Sequence, residues 1–119
     1  MPDAVGSLYE EARRAIAANA PTAAVMACRK LLMNVAVQEG ADGDMKFIEY
    51  VNWLEENNYM PPKGRGWVDR IKDVGNEANH EIPDVDPDKA RQVLAFTEGL
   101  LRFVYEFPAQ AGAELATEQ

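Results

Sequence analysis

Residues 21–40 read PTAAVMACRKLLMNVAVQEG, and the fold follows from how this stretch is read. Val25, Cys28, Leu32 and Val35 recur at helical spacing and form one apolar stripe, while Met26, Leu31, Met33 and Val37 thicken it. Pro21 suits the first turn of a helix, and Gly40 suits its end. A helix this apolar around its circumference has to be covered by neighbours, so it is read as the centre of a helical protein.

Working outward, the same periodicity predicts a first helix from about Gly6 to Ala18, with Ser7 and Glu10 as a capping box. Its inner face is read as Leu8, Ala12, Ala15, Ile16 and Asn19. The turn ADGD at 41–44 leads to a third helix, Met45 to about Asn57, capped by Asp44 and burying Phe47, Tyr50, Val51 and Leu54. NNYMPPKGRG at 57–66 is loop, because its prolines and glycines preclude a continuous helix. A fourth helix spans Gly66 to about Asn79, with Trp67, Ile71, Val74 and Ala78 inward. A fifth opens at DVDPDKA, where Asp86 caps, Pro87 takes the first position and Asp88 complements the helix dipole. It runs to about Glu106 with Ala90, Leu94, Thr97, Leu101 and Val104 on one face. Short loops place consecutive helices side by side, so the expected fold is all-α: a compact antiparallel up-and-down bundle of four to five helices. Residues 1–108 form the single domain, and 109–119 form a tail with little to pack.

The totals exclude several function classes. With 12 basic and 20 acidic residues the formal charge is −8, which repels a polyanion such as bulk DNA. One cysteine, Cys28, makes no intrachain disulfide, and one histidine with one cysteine cannot assemble a structural zinc site of the usual ligand types. No metal or cofactor is expected. There is no secretory leader and no long apolar run, so the chain is read as cytoplasmic, without a membrane partner.

Four constellations carry possible chemistry. DVDPD at 84–88 opens like a calcium loop, but Lys89 and Ala95 stand where such a loop needs Gly and Glu, and helix capping accounts for the stretch. Lys63 and Arg65, flanked by Tyr59 and Trp67, mix cations with aromatics as single-strand binders do, or form an ordinary loop docked on the bundle. Arg29 inside the most apolar helix either faces a carboxylate or pocket rim, or marks an exposed edge together with Lys30. The last is RIKDVGNEANHEI at 70–82, which holds the only histidine. His80 lies within ~40° of Asn76 on the helical wheel, so the two are neighbours on a polar face. The pair could act as a general acid/base with an orienting amide, or His80 could simply satisfy the last carbonyls of the helix. Gly75, inside that helix, fits a close approach by a neighbour.

In order along the chain, LYEEARRAI, AAVMACRKLL, IKDVGNEANHE and DPDKARQVLAFTEGLLRFVYEFP resemble the DUF4145 domain family, grouped with the HEPN superfamily of helical bundles. The resemblance covers about residues 7–108 and is most specific at Gly75, Asn76 and His80, with Arg29 matching a recurrent arginine. It implies a HEPN-like bundle that often pairs into dimers, in families found in prokaryotic defence proteins. Many HEPN proteins are metal-independent ribonucleases whose motif pairs an arginine and a following polar residue with a later histidine. Here Gly75 stands where that arginine is expected. Lys72 and Arg70 lie ~12 Å and ~15 Å along the helix axis from His80, too far to share one phosphate on a straight helix.

The expectation is therefore a non-catalytic interaction module, homodimeric or bound to a protein partner from the same operon, in a defence or nucleic-acid-processing system. One alternative is an RNA-binding protein or ribonuclease using His80 and Asn76. Its RNA contacts, which could equally be partner contacts, would come from Arg29, Arg70, Lys72, Lys63 and Arg65. Another is an acidic, antitoxin-like partner of a basic protein.

Overall fold

The computed structural model describes residues 1–61, 64, 66, 69, 85–109 and 111. Among them every regular element is helical: α1 (Asp3–Ala17), α2 (Pro21–Gln38), α3 (Phe47–Glu56), α4 (Pro87–Leu101) and a π turn (Arg102–Glu106). The body of the helix expected at 66–79 lies outside the described residues. α2 is the hub and packs on α1, α3 and α4. Its Leu31, Leu32, Val35 and Ala36 are fully buried, as the apolar circumference of the 21–40 stretch requires.

The core has three lobes around this helix. Ala12 of α1, Val25 and Cys28 of α2 and Val93 of α4 meet in one. Val5 of α1, Leu31 and Val35 of α2, Tyr50 and Leu54 of α3 and Leu101 of α4 meet in another. Leu32, Phe47, Val51, Phe96 and Leu100 fill the third. Tyr50 is buried with its hydroxyl satisfied, since Oη accepts the Met45 N–H at 3.3 Å and so ties down the approach to α3.

Two helix starts differ from the sequence expectation. α1 begins at Asp3 rather than Gly6, and Ser7 is an exposed interior position. The extra turn is held by Val5, which is fully buried, and Glu10 pairs with Arg13 at 3.3 Å instead of reaching back to a cap. α3 begins at Phe47, not Met45, and Lys46 rather than Asp44 occupies the N-cap position. There Glu49 Oε1 accepts the Lys46 N–H at 3.2 Å, which fixes the start from inside the helix. The start of α4 matches expectation: Asp86 Oδ1 accepts the Asp88 N–H at 2.8 Å, and Pro87 follows the cap.

α1, α2 and α3 all end in the same way. Asn19, Gly40 and Asn58 have φ of 58°, 123° and 64°, the left-handed region. After each, the next amide reaches back into the last turn: Ala20 to Ala15, Ala41 to Ala36 and Tyr59 to Leu54, at 2.8–2.9 Å. This is the Schellman closure, which satisfies orphan carbonyls and turns the chain sharply. At Gly40 an added Cβ would find room, 3.9 Å from Trp53, but the backbone angle itself disfavours any side chain. Gly40→Ala should therefore lower stability by about 1–2 kcal/mol. Asn58→Gly should leave stability unchanged or raise it slightly. Urea unfolding of both variants beside wild type checks the pair.

Candidate functional site

Arg29 is the one expected site residue that the structure describes. It is half-buried on α2, with its guanidinium carbon 4.6 Å from the centroid of the Phe47 ring at the start of α3. Phe47 belongs to the lobe built on Leu32, so the cation caps the edge of the core. Burial pulls its pKa below the ordinary arginine value. Lys30, one residue on, is exposed. Arg29 is thus a rim residue with an aromatic seat, different from the freely solvated edge that Lys30 occupies.

His80, Asn76, Gly75, Arg70, Lys72, Lys63 and Arg65 lie outside the described residues, as does Trp67. Tyr59 is described, and it is not a free platform for a nucleobase. Its ring stacks on Trp53 with centroids 5.6 Å apart and planes 10° from parallel, which docks the loop start on α3. In the 84–88 stretch, Asp86 is spent on its cap and Asp88 pairs with Arg91 at 2.7 Å, so a cap explains the first and an ion pair the second.

Two cavities went unforeseen in the sequence. The first, of about 360 Å³, is lined by Met1, Tyr9 of α1, Glu98 and Leu101 of α4, and Arg102, Tyr105 and Glu106 of the π turn. Burial and the neighbouring Glu98 carboxylate raise the pKa of Tyr9. Tyr105 Oη is shut off from solvent beside the Glu39 carboxylate. Burial, reinforced by the Glu39 carboxylate, pushes its pKa up to about 12. Glu98 is half-buried and has no ion pair among the described residues, whereas Arg102 reaches Glu106 at 3.5 Å. The second cavity is an apolar groove of about 470 Å³ between the end of α3 and the chain beyond the π turn. Tyr59, Phe103, Val104, Phe107 and Pro108 form its walls, and Phe107 is 52% exposed.

The π turn shapes both cavities. The Phe107 N–H bonds to the Arg102 carbonyl five residues back, so one extra residue is accommodated in the turn. Pro108 follows and has no N–H to return to the helix, a local reason for regular α geometry to fail here. Helical periodicity carried straight through residues 102–106 misplaces their side chains, and the only sequence signal of this is Pro108 itself.

The sole thiol, Cys28, is 1% exposed between α2 and α4, and burial pushes its pKa up to about 11. The native state therefore favours the protonated form, a contribution that is complete below pH 9 and disappears as pH rises through 11. The stability advantage of wild type over Cys28→Ala should hold up to pH 9 and shrink by roughly 2–3 kcal/mol by pH 11, measured by urea titration at stepped pH. Arg29 and Phe47 should couple by about 0.5–1 kcal/mol in a double-mutant cycle of Arg29→Met and Phe47→Leu.

No curated protein and no solved structure matches the chain. One family profile does match, that of the Domain of unknown function (DUF4145), and it covers residues 10–118. Together with the all-helical fold, a match over nearly the whole length places this chain in the DUF4145 family.

Proposed function

We propose that the chain is a non-catalytic, HEPN-like interaction module that docks a protein partner in the apolar groove beside Tyr59 and Phe107. The observation that carries this reading is the groove itself: about 470 Å³, walled by Phe103, Val104, Phe107 and Pro108, with Phe107 left half in solvent. A large aromatic held in water at the rim of an apolar groove is the pattern of an interface anchor. The occupant is a segment with apolar anchors and basic flanks, because the chain carries a net charge of −8. A second copy would bring the same charge to the interface and be repelled at low salt. Gly75 in place of the expected arginine supports a non-catalytic role, since phosphoryl chemistry without a positioned cation lacks its main charge stabiliser. A place in a prokaryotic defence or nucleic-acid-processing system extends the reading by family likeness alone.

The test titrates the full chain with amphipathic helical peptides that share apolar anchors and differ in lysine or glutamate flanks. Lysine-flanked peptides should bind more tightly by about tenfold at low salt, and Phe107→Asp should abolish binding of both. Concentration-dependent self-association that Phe107→Asp removes would replace the basic partner with a second copy. Absence of both behaviours would sink the docking reading. Metal-free cleavage of an RNA pool that disappears in His80→Ala would replace the module with a ribonuclease.

A further inference from the structure

The cavity between α1 and the π turn is chemically unlike the groove, and the argument for it does not depend on the docking reading. Its lining places two carboxylates, Glu98 and Glu106, with one guanidinium, Arg102, and two phenol rings, Tyr9 and Tyr105. Arg102 is engaged with Glu106 at 3.5 Å, which leaves Glu98 as the carboxylate without a cation among the described residues. Glu98 is half-buried, so part of its hydration is already gone, and its charge is felt at the Tyr9 hydroxyl and at Cys28. A partly desolvated carboxylate lacking its counter-charge is an unbalanced term that a bound cation would correct.

The aromatic rings narrow the kind of cation. The Tyr9 ring already accepts a guanidinium, since the Arg13 carbon sits 5.8 Å from its centroid. Leu101 adds an apolar wall. The Tyr105 hydroxyl is shut off from solvent beside the Glu39 carboxylate, so this residue offers the cavity its ring rather than its oxygen. A hydrated inorganic ion gains little from rings and a leucine, whereas an ammonium group on an alkyl stem uses the rings, the leucine and the carboxylate together. A volume of about 360 Å³ suits a small molecule or one long side chain.

We propose that this cavity binds an alkylammonium group, with Glu98 as counter-charge and Tyr9 and Tyr105 as ring walls around the stem. The same chemistry is presented by a free aliphatic amine and by a lysine side chain of another protein, and two probes tell them apart. Putrescine and a doubly blocked lysine are each titrated into the ¹⁵N-labelled full chain and followed by amide shifts, with butanol as the uncharged control.

Saturable shifts centred on Tyr9, Glu98 and Tyr105 are expected with putrescine and not with butanol. Glu98→Gln should weaken binding at least about tenfold, while Glu56→Gln on the exposed end of α3 should leave it unchanged. Tyr105→Phe keeps the ring and serves as a second variant with little risk to folding. Its shifts should stay centred on the cavity. Binding of the blocked lysine as well would assign the cavity to a partner's side chain, and binding of putrescine alone to a free amine. Shifts spread over the acidic surface and equally sensitive to Glu56→Gln would overturn the proposal, as would no response to either probe.

Discussion

Because Leu31, Leu32, Val35 and Ala36 are all fully buried and point in different directions around one helix, α2 needs cover from several sides at once. α1, α3 and α4 supply it, meeting α2 in three lobes of core, each of them shared by at least two of the three helices. Burying one large aliphatic side chain is worth about 1.5–3 kcal/mol. Losing the cover on any one side would therefore forfeit much of the margin that a domain of this size has. Two of the three left-handed helix ends serve the same constraint: the one at Asn19 turns the chain from α1 into α2, and the one at Gly40 stops α2 sharply ahead of α3.

That wrapping decides which chemical groups remain available. Cys28 is sealed between α2 and α4, where its thiol is packing material rather than a nucleophile. Arg29, one position on, emerges at the seam between α2 and α3 and is kept in place by the face of Phe47. The adjacent residues show how steeply availability changes across one step of a central helix. The two cavities lie elsewhere, at the end of the bundle where α4 gives way to the π turn, and one presents apolar walls while the other presents carboxylates and phenols.

Much of the architecture was legible because apolar spacing and cap chemistry act locally. The stripe of α2, the Asp86–Pro87 start of α4 and the buried face of α3 are all written in neighbouring residues. The start of α1 was not, because the Ser7–Glu10 box is a sound local signal overruled by burial of Val5 against α2 and α3. Lys46 displaced Asp44 for a related reason: Glu49 reaches back from within the helix and needs only a backbone N–H at the cap. The cavity residues were not legible at all. Tyr9 and Glu98 are distant in sequence, and nothing in either local stretch tells of the other. Gly75, Asn76 and His80 stand out by residue type alone, and they lie outside the described residues.

The π turn has a consequence for how sequences of this kind can be compared. A helix that holds one surplus residue in its hydrogen-bonded rings stores an insertion without a loop. Removing one residue there would let the turn tighten to the α form with the same N–H closing on the Arg102 carbonyl, so everything downstream would keep its bearing, whereas removing one from the regular helix of α4 would turn it by about 100°. In that second case Phe107 and Pro108 would face another way, although their own neighbours in sequence were untouched. The surface shown by this end of the molecule is accordingly set by residue count as much as by residue identity. An alignment that slides a gap by one position across 102–106 would misassign which side chains line the groove.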